Sequence, residues 1–143
     1  SEDQLTVGKC KQYGYYTPSH KYKNFVKILQ AEKPKYSLIF TRTKRKSKEI
    51  CRRLQRESRI NLKVDYINGD LSQAKREKIV KRFRNKRINC LVGTNVLARG
   101  LDFPRVSHVF NYELPHDPEV YIHRIGRTGR NGATGTAFTF VKA

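Results

Sequence analysis

The feature that most constrains this chain is an alternation of short apolar runs with stretches of helical spacing. Ser37–Phe40, Val64–Ile67, Asn89–Gly93, Val106–Phe110 and Ala137–Val141 are mostly apolar runs of four or five residues. Each is too short for a helix and suits a buried strand. Lys9–Tyr16 alternates, with Tyr13 and Tyr15 on one side, and reads as a first strand. After Pro18 and Ser19 mark a helix start, Tyr22, Phe25, Val26 and Leu29 recur at helical spacing up to Gln30. Ile50, Cys51 and Leu54 make an apolar stripe on a basic helix over Lys46–Arg59. Ile79, Val80 and Phe83 repeat the pattern after Ser72, and a further helix starts near Asp117 and Pro118. Short strands alternating with helices of about ten to fifteen residues build βαβ units, hence a parallel sheet covered on both faces.

That topology brings distant polar segments together. Thr41-Arg42, Asn68-Gly69-Asp70 and Thr94-Asn95 each follow directly on a predicted strand. In an open parallel sheet such strand ends share one edge, where ligands bind. Three segments far apart in sequence therefore converge on one rim.

Charge narrows the ligand. The 143 residues include 31 Lys and Arg against 12 Asp and Glu, a formal +19 at pH 7. Such an excess points to a polyanion, either nucleic acid or an acidic membrane surface. A membrane-surface protein typically concentrates its cations on one amphipathic helix, whereas here several segments share them, so nucleic acid leads. The hydrophobic content of 37% supplies a core and argues against full disorder. No apolar run approaches the ~18 residues of a spanning helix, which excludes an integral helical membrane protein. The opening residues show no cationic start or apolar stretch of a secretory signal. Cys10, Cys51 and Cys90 lie roughly forty residues apart, a spacing that suits small buried side chains rather than a zinc knuckle or disulfide framework. A reducing interior, cytoplasm or nucleus, is the expected location. His108 and His116 have no partners at ligand spacing, so no metal site is expected.

Two constellations carry candidate chemistry. In His123–Arg130, arginines at 124, 127 and 130 recur every third residue with glycines between them. A regular helix would align those guanidiniums at a repulsive cost of a few tenths of a kcal/mol per pair, and each glycine would weaken it by up to ~1 kcal/mol. One reading is a set of rigid planar forks for phosphate oxygens; the other is a basic, solvated surface patch. In Thr94–Asp102, Thr94 and Asn95 offer hydroxyl and amide groups and Gly100 permits close backbone approach. Asp102 suits acceptance from a sugar hydroxyl, as acidic residues do in dinucleotide folds. A plain strand–turn–helix junction is the alternative there. Tyr13, Tyr15 and Tyr16 either stack on bases or pack the first strand against the sheet.

Taken together, Leu38–Lys44, Asn68–Arg76 with Phe83 downstream, Thr94–Asp102 and His123–Arg130 resemble motifs IV, IVa, V and VI of the DEAD-box RNA helicases, in that order and at that family's spacing. The resemblance spans roughly residues 10 to 141. It implies a three-layer RecA-like α/β fold, an open and mainly parallel sheet with helices on both faces. Residues 1–8 are expected to be a linker and 9–143 the second RecA-like domain. Asn68 stands where the family usually has His, and Gly93-Thr94-Asn95 replaces Ala-Thr-Asp. No P-loop, Asp-Glu-Ala-Asp or Ser-Ala-Thr motif occurs, so an N-terminal ATP-binding domain is expected to be missing from this chain.

The resemblance also assigns roles. Arg127 and Arg130 match arginine fingers toward the γ-phosphate. Gly100 and Asp102 match the nucleotide contact, and His123 and Arg124 the coupling between domains. Thr41, Arg42, Gly69, Asp70, Gln73, Arg76, Thr94 and Arg99 match positions that contact, or support contacts to, the RNA backbone. The expected partners are RNA, held without sequence preference, and the N-terminal RecA-like domain of the same protein, with no membrane. ATP and Mg²⁺ are expected in the full-length enzyme and neither in this chain alone, which should hydrolyse no ATP. The competing readings are a non-enzymatic basic module that binds or anneals RNA, and half of a related DNA helicase.

Overall fold

In a computed structural model, residues 9–16, 19–95, 106–114 and 134–141 are described. Their order is β1 (Lys9–Tyr16), α1 (Lys21–Glu32), β2 (Ser37–Phe40), α2 (Lys44–Gln55), β3 (Val64–Ile67), α3 (Gln73–Arg84), β4 (Cys90–Gly93), β5 (His108–Asn111) and β6 (Thr134–Val141). The strands form one six-stranded sheet in the order β1-β6-β5-β2-β4-β3, and every pairing is parallel. β2 therefore lies in the interior, and all four of its residues are buried. That is why it reads as an unbroken run rather than an alternation.

Successive residues of each strand face opposite sides, so the sheet feeds two cores. On one face Ile39, Val92, Phe110 and Phe138 meet Phe25 and Leu29 of α1 and Ile50, Cys51 and Leu54 of α2. On the other, Leu38, Phe40, Leu91 and Val109 meet Phe83 of α3, with Ile79 and Val80 beside it. The predicted three-layer α/β architecture, with helices on both faces, is the one observed. Tyr36 locks α3 to the sheet: its ring stacks on Phe83 at 4.1 Å and its hydroxyl donates to the Phe83 carbonyl at 2.6 Å. Cys51 and Cys90 are buried and free, as small core side chains, and burial pushes both thiols up to about 12.

Helix boundaries follow local chemistry. Thr43 Oγ1 accepts from Lys46 N at 3.0 Å and Ser72 Oγ from Lys75 N at 3.2 Å, capping α2 and α3. Ser47, Ile50, Cys51 and Leu54, the buried stripe of α2, recur at helical spacing. α2 ends at Gln55 rather than at Arg59. Beyond it, Glu57 accepts from Arg59 Nε at 2.7 Å, from Arg59 Nη2 at 2.8 Å and from the Tyr22 hydroxyl of α1 at 3.1 Å. These bonds hold the chain against α1 and override its helical spacing. α1 starts after His20, which has a left-handed φ of 56° and makes no side-chain cap, so Ser19 is not the cap. α1 runs to Glu32 and closes where the Lys33 N–H, at a φ of 45°, bonds the Leu29 carbonyl. β5 includes Asn111, whose amide donates to buried Thr139 of β6 at 3.0 Å, and β6 begins at Thr134, earlier than its apolar run. The helix expected near Asp117 lies outside the described residues.

Tyr13 and Tyr15 on edge strand β1 stack on Phe138 at 5.1 and 5.8 Å, yet stay 45% and 37% exposed. Packing against the sheet holds for both rings, while their outer faces remain in solvent. No helix among the described residues is long and apolar enough to cross a membrane.

Candidate nucleic-acid interface

Because all strands run parallel, the C-terminal ends of β2, β4 and β3 lie side by side on one edge. The Thr41 N–H donates to the Gly93 carbonyl at 2.9 Å, joining the end of β2 to that of β4. The Tyr112 N–H donates to the Phe40 carbonyl at 3.0 Å and ties in the end of β5. The three polar segments predicted to converge do so.

Each expected contact residue has a distinct place. Thr41 is fully buried and its hydroxyl donates to the Thr43 carbonyl at 3.0 Å, so it shapes the turn into α2. Arg42 is exposed. Its N–H donates to Glu113 Oε1 at 2.9 Å and its Nε to the Leu114 carbonyl at 2.8 Å, which anchors the guanidinium at the rim. Buried Asn68 accepts from the Asp70 N–H at 2.9 Å through Oδ1, an Asx turn that sets the loop after β3. Gly69 sits exposed in that loop, with nothing within 4 Å of where a Cβ would stand. The Asp70 carboxylate accepts from Lys44 Nζ at 2.9 Å. Gln73 Nε2 donates to Glu77 at 3.2 Å, and Arg76 follows three residues on, on the same side of α3. Thr94 is half-buried just past β4. Arg99, Gly100, Asp102, His123, Arg124, Arg127 and Arg130 lie outside the described residues.

The electrostatics of the rim favour anions. α2 and α3 both begin there, and neither has an acidic residue in its first turn. Their free N–H groups and dipoles present partial positive charge. Lys44, Arg45 and Lys46 occupy the start of α2, where cations oppose the helix dipole. Such a local cost is expected where an anion supplies the compensation. Lys44, the last residue of the motif IV segment, and Glu113, which no motif singled out, enter this network through partners 26 and 71 residues away. Among the described residues no three His, Cys, Asp or Glu side chains gather to hold a metal.

Comparison with known proteins agrees with this arrangement. A family model described as the helicase conserved C-terminal domain matches residues 20–132. The chain is 44% identical over 144 aligned positions to the DEAD-box ATP-dependent RNA helicase CshA of Geobacillus kaustophilus, covering 96% of this chain and 29% of that relative. It thus spans less than a third of that relative's length. The fold is similar to that of a DEAD box protein from the hyperthermophile Methanococcus jannaschii, with a TM-score of 0.82 and 37% identity over 94% of this chain and 36% of that one. It is also similar to Saccharomyces cerevisiae Dbp5 L327V bound to RNA and ADP BeF3, with a TM-score of 0.83 and 34% identity over 100% of this chain and 38% of that one.

Proposed function

Since the chain belongs to the helicase conserved C-terminal domain family, as the C-terminal domain of a DEAD-box helicase, we propose that it serves as the second RecA-like domain of an ATP-dependent RNA helicase. The observation that carries this reading is the rim on which Arg42, Gly69, Asp70, Gln73, Arg76 and Thr94 meet the starts of two helices with no acidic residue in their first turns. Such a surface suits a sugar-phosphate backbone: helix N-termini and arginine forks for phosphates, a carboxylate for 2′-hydroxyls, and a glycine where the strand passes closest. Little in it reads base edges, so binding is independent of sequence.

ATP is the substrate, held with Mg²⁺ chiefly by an N-terminal domain outside this chain. On the motif match, Arg127 and Arg130 reach the γ-phosphate, where arginine fingers stabilise the charge of phosphoryl transfer. Gly100 and Asp102 meet the ribose, and His123 and Arg124 tie nucleotide state to RNA grip. Arg99 joins the RNA contacts. Closure of the two domains bends the bound strand so that it no longer fits a duplex, and reopening releases it. The protein works where RNA and ATP are found, in cytoplasm or nucleus. The chain alone, without the phosphate-binding domain, has no ATPase.

RNA-stimulated ATPase of the full-length protein tests this. Arg127→Ala should lower turnover at least about tenfold with RNA affinity intact, whereas Arg76→Ala should raise the RNA concentration needed for half-stimulation. Wild-type turnover in Arg127→Ala would remove the finger assignment.

A further inference from the structure

Arg42 stands between two elements, after β2 ends at Phe40 and before Thr43 caps α2. Its backbone N–H belongs neither to the β2 ladder nor to the helix, and such a group needs an acceptor from elsewhere. Glu113, just past β5, supplies one: its Oε1 accepts from the Arg42 N–H at 2.9 Å. The next residue, Leu114, accepts from Arg42 Nε at 2.8 Å through its carbonyl. One dipeptide thus holds one arginine twice, at its backbone and at the root of its guanidinium.

The two acceptors divide the work by charge. The carboxylate takes the backbone amide and a neutral carbonyl takes the guanidinium, so no ion pair among the described residues neutralises Arg42. Nη1 and Nη2 have no hydrogen-bond partner among the described residues, which leaves both terminal amino groups of the fork for two oxygens of one phosphate. Lys44, two residues on, is the contrast, since its ammonium is paired with Asp70. Nor is the Glu113 carboxylate needed to join the strands. The Tyr112 and Glu113 N–H groups already donate to the Phe40 carbonyl at 3.0 and 3.4 Å. On charge alone, a carboxylate beside an anion-binding rim is a liability.

We propose that Glu113 is a positioning residue for RNA: with the Leu114 carbonyl it holds Arg42 so that the open end of its fork meets a backbone phosphate. The proposal rests on the reading of the rim as an RNA interface. Glu113 acts through the hydrogen bond that it accepts and not through its charge, so losing the bond and losing the charge have opposite effects on binding.

Substitutions in the full-length protein, read by fluorescence anisotropy of a labelled oligouridylate, separate the two. Arg42→Ala should weaken binding at least about fivefold, and Glu113→Ala should do the same although it removes negative charge. Glu113→Gln keeps a side-chain oxygen that accepts from the Arg42 N–H, so it should bind at least as tightly as wild type. The double variant Arg42→Ala/Glu113→Ala should bind no more weakly than Arg42→Ala, because the supported group is already gone. In Glu113→Ala the slope of log affinity against log salt should become shallower by about 0.7, the loss of one phosphate contact with no cation removed. Binding by Glu113→Ala as tight as wild type or tighter overturns the proposal. So does an equal loss in Glu113→Gln, or additive losses in the double variant. Wild-type binding by Arg42→Ala would remove Arg42 from the RNA interface and this role of Glu113 with it. A loss in Arg42→Ala without one in Glu113→Ala removes the positioning role alone.

Discussion

Lys44, the first residue of α2, donates to Asp70 in the turn after β3 at 2.9 Å, so two loops that are not neighbours in sequence share one charge pair on the rim. Both side chains are more than half exposed, at 54% and 71%. Exposed pairs of this kind contribute well under about 1 kcal/mol. The pair's consequence is electrostatic: Lys44 masks a carboxylate that would otherwise repel phosphates. Lys44→Ala should leave thermal stability nearly unchanged and weaken single-stranded RNA binding several-fold at low salt. Lys48→Ala, which removes an exposed cation with no carboxylate partner among the described residues, should weaken it less. Equal losses in anisotropy titrations would show that Asp70 needs no mask.

Gly69 offers a cleaner test of close approach. With nothing within 4 Å of the position a Cβ would take, Gly69→Ala meets no steric obstacle in the free protein. The melting temperature should stay within the effect of about 0.5 kcal/mol typical of surface changes. RNA affinity should fall nonetheless, because the methyl group occupies space the strand would use. An unchanged affinity would take Gly69 out of the interface.

Salt dependence counts the phosphates. For single strands, log affinity falls with log salt with a slope of about −0.7 per phosphate neutralised. Arg76→Ala should make that slope shallower by roughly one such step, and Gly69→Ala, which removes no charge, should leave it alone. Identical slopes for wild type and Arg76→Ala would place Arg76 off the backbone path.

The Arg59 guanidinium holds the Glu57 carboxyl down to about 2, with the Tyr22 hydroxyl bond acting in the same direction. In the unfolded chain that carboxyl titrates near 4.3. The folded state therefore binds fewer protons than the unfolded one between these values. Glu57 contributes stability that is complete above about pH 4.5 and is lost as pH falls toward 2. Glu57→Gln should be less stable at neutral pH and should lose less on acidification across that window, as followed by circular dichroism during denaturant titration.

Burial pushes the hydroxyl of Tyr36 up to about 12. Its folded value lies above the unfolded value near 10, so the stability it contributes is present below pH 10 and declines as pH rises toward 12. Tyr36→Phe keeps the stack on Phe83 but removes the 2.6 Å bond to the Phe83 carbonyl. The expected cost is about 1–2 kcal/mol, with a flatter alkaline limb in the same denaturation experiment.

Much of this arrangement was legible from residue patterns, for physical reasons that also set the limits. β1, β2 and β3 have the bounds expected of them: interior β2, buried throughout, leaves an apolar run, edge strand β1 an alternation, and edge strand β3 keeps Val64 and Ile67 buried around half-buried Asp65 and Tyr66. The convergence of Thr41, Asp70 and Thr94 followed from parallel topology alone. The premature end of α2 did not, since it depends on Glu57 bonding a tyrosine of another helix 35 residues away. Nor did the anchoring of Arg42 by Glu113 and Leu114, which requires β5 to lie next to β2. Tyr13 and Tyr15 pack on Phe138, the second of their two readings, and keep an exposed outer face because an edge strand packs its rings on one side only.

The interior position of β2 has a consequence for motion. Flanked by β5 and β4 and buried throughout, it should hold the amides slowest to exchange with deuterium, and the Thr41 N–H bonded to Gly93 extends that protected ladder to the rim. The proposed RNA rim thus stands on the stiffest part of the sheet. On that proposal, a strand held there would move with the domain as a rigid lever rather than by deformation beneath the contact.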